Sequence, residues 1–158
     1  MFLAIKSVIQ PFKPTTQVLE LLENFRQMVN DCVKIGLAND ASTLNRLSNL
    51  SYSQLSEYDV MSYYKLCAIS HAAGILANRK KSLKRVLNPR KPYARLPLLT
   101  SCYGFKITGN VLRVPIGERQ YFDIPLNGYV RTILSDSSTK VRSFTLTANN
   151  TMTLCYSK

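Results

Sequence analysis

Asn78-Arg-Lys-Lys-Ser-Leu-Lys-Arg-Val-Leu-Asn-Pro-Arg-Lys-Pro-Tyr-Ala-Arg95 divides the chain into two unlike halves. Eight of its eighteen side chains are Lys or Arg and none is acidic. Upstream, the apolar residues recur at helical spacing; downstream, they alternate between Gly, Pro and Asn punctuation as strands do. A basic hinge between a helical arm and a β body suits a grip on nucleic acid. The plainer alternative is a solvated linker, since charge runs commonly do no more than solvate.

The net charge of +12 is unevenly distributed. Residues 1–59 hold five basic and six acidic side chains, residues 60–117 hold eleven basic and none acidic, and residues 118–158 hold five basic and three acidic. Nearly all the excess therefore falls in one window, which points to a local polyanion site rather than a generally basic surface. Charge of this kind binds phosphate without reading sequence, and it weakens steeply with salt. An anionic membrane is the rival polyanion, but it favours a basic helix with a broad apolar face, and Pro89 and Pro92 interrupt any such helix.

At 158 residues and 46% hydrophobic content the chain can bury one core, or one core with a small appendage. It has no apolar run of the roughly 18 residues that a membrane span needs, and its start lacks a signal-peptide pattern. The expectation is a cytoplasmic protein with no membrane partner. Cys32, Cys67, Cys102 and Cys155 are widely spread with no C-x-x-C, so no zinc ribbon or redox pair is signalled and buried free thiols are expected. His71 has no acidic or thiol companion at ligand spacing, so it is read as an ordinary core or surface residue. No metal, cofactor or catalytic residue is expected.

Residues 2–9 read as a strand with Leu3, Ile5 and Ile9 on one face and Phe2, Ala4 and Val8 on the other, both apolar enough to be covered. Thr15 or Thr16 caps a helix with Val18, Leu21, Leu22, Phe25, Val29, Cys32 and Val33 on one stripe, ended by Gly36 or Asn39. Residues 39–51, with Leu44, Leu47 and Leu50, form a short helix or an ordered loop. A second long helix is expected from near Ser53 or Ser56, with Met61, Tyr64, Ala68, Ala72, Ile75 and Leu76 facing inward. It runs on into the basic stretch, where Asn78, Lys81, Ser82 and Arg85 share one side while Arg79, Lys80 and Lys84 splay round it.

Six short strands follow, at 103–107, 111–116, 121–124, 129–134, 141–148 and 152–156. Gly109-Asn110 and Asn149-Asn150 give the clearest hairpins, because Gly and Asn tolerate the positive φ of tight turns. Strands this short and numerous indicate a small barrel or a strongly curled sheet. The expected fold is thus α+β: a small antiparallel β-barrel from residues 1–10 and 96–158, with residues 11–95 as a helical insertion of two long helices after the first strand.

Taken in order, the first strand, Phe12-Lys-Pro-Thr-Thr-Gln17, the helix with Leu21, Leu22, Phe25 and Asn30, the second helix leading to Arg79-Lys-Lys81 and Lys91-Pro92, and Phe105-x-Ile-x-Gly-Asn-x-Leu-x-Val-Pro-Ile116 resemble the amino-terminal half of a TnpB (OrfB) protein. Such proteins are encoded by insertion-sequence transposons and are related to the compact type V CRISPR effectors. The resemblance implies a wedge-like barrel carrying a helical recognition insertion, which grips guide RNA and reads a short motif in target-adjacent duplex DNA. It also implies a separate nuclease or transposase partner, because the family's RuvC half, with its metal-holding acidic triad, is not matched within residues 1–158. Beyond residue 60 the only acidic residues are Glu118, Asp123 and Asp136. Glu20 and Glu23, a helical turn apart, read as a solvated face.

The expected function is therefore non-catalytic nucleic-acid binding, to RNA, DNA or both. Phosphates fall to Arg79, Lys80, Lys81, Lys84, Arg85, Arg90, Lys91 and Arg95, base edges to Asn78 and Ser82, and stacking on unpaired bases to Tyr63 and Tyr93. The alternatives are a protein-interaction or oligomerisation module using the helical arm, and the binding half of a nuclease completed by a partner.

Overall fold

The computed structural model of the chain describes residues 3–85 and 90–158. Phe2 and Pro89, which the sequence assigns to the first strand and to a helix stop, lie outside the described residues.

Strand β1 spans Ile5–Pro11 and pairs antiparallel with β7, Thr151–Ser157, the last strand of the chain. Three helices follow β1. Helix α1, Thr16–Ala38, starts where Thr15 accepts the Val18 N–H at 3.3 Å, and it buries every residue of the predicted stripe together with Met28 and Gly36. Gly36 does not end the helix. A Cβ there would lie 2.3 Å from a Leu76 methyl and 2.7 Å from the Ala41 carbonyl oxygen, so glycine permits a close crossing, and Asn39 forms the C-cap. Helix α2, Leu44–Ser51, is capped by Thr43 and leads into a 3-10 turn at Tyr52–Leu55.

The second long helix, α3, spans Ser62–Leu83 and begins later than the sequence suggested. The intervening residues are anchored elsewhere: Leu55 is buried, and the Tyr58 hydroxyl donates to Asp31 Oδ2 at 2.6 Å. Helices α1 and α3 run in the same sense. Leu21 and Asn24 lie beside Met61 and Ser62 at one end, and Gly36 meets Leu76 near the other.

The remaining strands are β2 (Leu98–Ser101), β3 (Lys106–Thr108), β4 (Val111–Gly117), β5 (Gln120–Pro125) and β6 (Lys140–Thr147). All pairings are antiparallel, in a four-stranded sheet ordered β1-β7-β6-β2 and a three-stranded sheet ordered β3-β4-β5. Both predicted hairpins form, with Gly109 and Asn150 at positive φ. Among the described residues the strands pair as two sheets and not as one ring. Near the end of β5, Pro125 has no N–H to offer a ladder, and the buried Gln10 side chain supplies the bridge instead. Its amide donates to the Pro125 carbonyl at 2.8 Å and its oxygen accepts the Asn127 N–H at 2.9 Å.

Two expectations about strands are corrected. Residues 129–134 belong to helix α4, Gly128–Leu134, not to a strand. Asn127 caps it by accepting the Val130 N–H at 2.9 Å, and Val130 alone of the segment is buried, so the cap outweighs β-prone Tyr, Val, Thr and Ile. The first strand is covered on one face only: Val8 and Gln10 are buried, while Leu3, Ile5 and Ile9 are exposed. In the row of Ile9 the neighbouring strands present Thr153, Thr145 and Thr100, hydroxyl side chains that tolerate water. One continuous hydrophobic core links α1 and α3 to the inner faces of both sheets.

Candidate nucleic-acid interface

Helix α3 carries the basic run out of the core. Leu76 is its last buried residue, and beyond it Asn78, Lys80, Lys81, Ser82, Lys84 and Arg85 are exposed while Arg79 is half-buried. Lys80 and Lys81 occupy the last helical turn, where the dipole favours cations. The helix ends at Leu83, so Arg85 sits in a turn, its N–H donating to the Ser82 carbonyl at 3.0 Å, and does not continue the Asn78–Lys81–Ser82 side as expected. The Ser82 hydroxyl donates to the Asn78 carbonyl at 3.1 Å, which leaves its oxygen as an acceptor for base amino groups.

The chain returns through Arg90, Lys91, Tyr93 and Arg95, all exposed, with Ala94 buried among them. What fixes this return segment is Asn30 on α1. Its side-chain oxygen accepts the Ala94 N–H at 2.7 Å and its amide donates to the Ala94 carbonyl at 3.1 Å. Arg26 adds a longer donation to the same carbonyl at 3.5 Å, while Glu23 holds its guanidinium with contacts of 2.9 and 3.1 Å and has its own carboxyl pulled below the usual range by that partner. The two basic arms lie near each other, since Arg85 and Arg90 are five residues apart and therefore within about 19 Å.

Ion pairing does not consume this charge. Among the described residues the ion pairs are Arg26–Glu23, Arg113–Asp123 and Lys158–Asp136, and none involves residues 79–95. At the opposite ends of α1 and α3, a cleft is lined by Glu20, Asp59 and Glu118 and by no basic residue. The helical pair is thus polarised, with its acidic cleft at the start of both helices and free cations at the finish of α3.

Not every predicted contact joins this surface. Tyr63 lies at the first turn of α3, and a rise of 1.5 Å per residue puts it about 27 Å from Lys81. Its ring is half-buried, edge-on to Tyr64 at 4.8 Å and under Gly104, where a Cβ would come within 2.6 Å of it. Tyr64 is wholly buried and its hydroxyl donates to the Pro115 carbonyl at 2.5 Å. Of the two favoured stacking residues, only Tyr93 is brought to the cations. Asn30 and Lys34 lie outside the expected contact set, although Gln27, Asn30, Asp31 and Lys34 form a polar stripe along α1 at helical spacing.

A more apolar groove of about 710 Å³ separates α3 from the β2 edge, with Leu66, His71, Asn78, Thr100 and Tyr103 among its walls. Cys102 also lines it and is exposed, unlike the buried thiols of Cys32 and Cys67; Cys155 is half-buried. His71 stands edge-on to Phe25 at 6.3 Å, and burial pushes its pKa below the usual histidine range. Its depressed folded value means that stability is fully present above the unfolded pKa of about 6.5 and declines as pH falls toward the folded value. As this is the chain's single histidine, a denaturation series should show that decline in the parent protein and a flatter profile in His71→Gln.

Among the described residues no group of three or more His, Cys, Asp or Glu side chains is placed to hold a metal ion. No described helix is long and apolar enough to cross a membrane. Comparison with models of known protein families and with curated protein sequences gives no match.

Proposed function

We propose that the chain is a non-catalytic nucleic-acid-binding module that holds a phosphate backbone between the end of α3 and the return segment 90–95. The observation that carries this reading is the set of exposed, unpaired cations Lys80, Lys81, Lys84, Arg85, Arg90, Lys91 and Arg95 on two neighbouring arms, one of them pinned to α1 by Asn30. The acidic cleft at the far end of the helices supports a defined path, because it repels a strand that strays from the basic end. Within this reading the two sheets act as a wedge-like body and the helices as a recognition arm, in the manner of a TnpB/OrfB protein working with guide-type RNA, target-adjacent duplex DNA and a separate nuclease or transposase chain in the cytoplasm.

The test is a fluorescence-anisotropy titration of a labelled RNA hairpin and a labelled duplex DNA over a range of KCl concentrations. If most of the exposed cations meet phosphates, log K should fall against log salt with a slope of about −4 to −6. Binding that ignores salt, or none at low salt, overturns the proposal.

A second reading, docking of a partner protein, has one observation in its favour. Leu44, Leu66 and Tyr103 are exposed around the groove beside β2. A stable oligomer that fails to bind heparin would favour it.

A further inference from the structure

A cavity of about 560 Å³ lies between the outer face of α1 and the return segment that Asn30 holds against it. The α1 wall supplies Arg26, Gln27, Asp31 and Lys34, and the segment supplies Lys91 and Tyr93. We infer that this cavity is a pocket for one unpaired nucleotide of a bound strand, its base stacked on Tyr93 and its phosphate held by Lys34 and Lys91. The inference rests on the nucleic-acid-binding reading and adds to it a distinction between single strand and duplex.

Three features select this ligand. The volume falls within the roughly 300–1,000 Å³ of small-molecule sites, too small for a duplex and sufficient for a nucleotide. Tyr93 is 62% exposed, an aromatic face lining the cavity that no core contact requires. The charge is graded: Arg26 is already engaged by Glu23, so Lys34 and Lys91 remain to balance a phosphate, while Asp31 repels a second one. Asp31 Oδ2 is fixed by the Tyr58 hydroxyl, which burial and that same carboxylate keep protonated. A carboxylate held in this way accepts hydrogen bonds from base N–H groups, so the base points toward Asp31 and the phosphate toward the lysines.

The pocket also explains why the clasp matters. Without Asn30 the Ala94 backbone loses its two shorter side-chain hydrogen bonds and keeps only the 3.5 Å donation from Arg26, so the Lys91–Tyr93 wall is held to α1 far less firmly. Asn30 is accordingly a positioning residue, while Tyr93, Lys34 and Lys91 touch the nucleotide.

The experiment compares a 12-nucleotide single strand carrying one 2-aminopurine with the same sequence as a blunt duplex, both in low salt. Stacking on an aromatic ring contributes about 1–3 kcal/mol per base, so Tyr93→Ala should weaken single-strand binding by about 5-fold to 150-fold and abolish the 2-aminopurine fluorescence change. Tyr93→Phe should retain both, Lys34→Ala should weaken the single strand more than the duplex, and duplex affinity should change less than about twofold in Tyr93→Ala. Tyr93 is largely exposed, so these variants are expected to fold, and a melting curve checks it. If a variant lacking Lys81, Lys84 and Arg85 loses affinity while Tyr93→Ala binds both probes normally, the pocket is wrong and the broader reading stands. Equal loss on strand and duplex in Tyr93→Ala also overturns the pocket, and failure of every variant to alter binding overturns both.

Discussion

A variant with Lys81, Lys84 and Arg85 all replaced by Ala should bind structured RNA and duplex DNA on the order of 100-fold to 1,000-fold more weakly at 50 mM salt, with a salt slope shallower by about 3. Each phosphate contact contributes about 0.9 to that slope, close to one decade of affinity at low ionic strength when the side chain is fully engaged. The three residues are exposed and none takes part in an ion pair among the described residues, so little in the fold depends on them. Lys81 does sit in the last turn of α3, where its charge favours the helix dipole by about 0.3–1 kcal/mol, but alanine's better helix propensity offsets part of that loss. Anisotropy titrations and melting curves on the same preparations separate the effects. Lost affinity with an unchanged melting temperature is the expected result, whereas unchanged affinity would leave the basic arms as solvated surface.

The charge that this variant removes was legible in the chain because it is a local property. An acid-free window cannot disguise itself, and the packing of α1 was equally plain, since its apolar stripe persists over 23 residues and averages out any single exception. The readings that failed had too little sequence to average. Seven residues at Gly128–Leu134 fit a strand alternation as well as a helix, and one Asn cap decided the matter. Tyr63 looked adjacent to the basic run because it is near in sequence, yet a continuous helix carries it to the far end.

The pocket was hidden for a different reason. Its clasp joins Asn30 to Ala94, sixty-four residues apart, and both partners are common residues whose local sequence gives no sign of the pairing. The same is true of Gln10, which stands at an inward strand position where an aliphatic residue is usual. In a half-buried strand that departure is a signal. A polar side chain on the inner face must find partners, although the sequence does not say that they lie at Pro125 and Asn127.

Tyr64→Ala should lower stability by about 3–5 kcal/mol, a shift of about 6–20 °C in melting temperature for a chain of this size. Tyr64 is the largest wholly buried side chain among the described residues, so truncation leaves a cavity between the first turn of α3 and Pro115. Its hydroxyl also donates to the carbonyl of Pro115, beside the irregularity where the β4–β5 register shifts between Pro115 and Gly117. Tyr64→Phe keeps the ring and orphans only that carbonyl, which should cost about 1–3 kcal/mol. The difference between the two variants therefore measures the ring's packing apart from the tie between helix and sheet. Since Tyr64 is remote from the cations, neither variant should alter affinity measured well below its melting temperature. As the temperature rises, Tyr64→Ala should lose binding in step with its unfolded fraction, the reverse of the charge variant, which stays folded and binds weakly throughout. Weak binding by fully folded Tyr64→Ala would mean that the basic end of α3 depends on its anchored beginning.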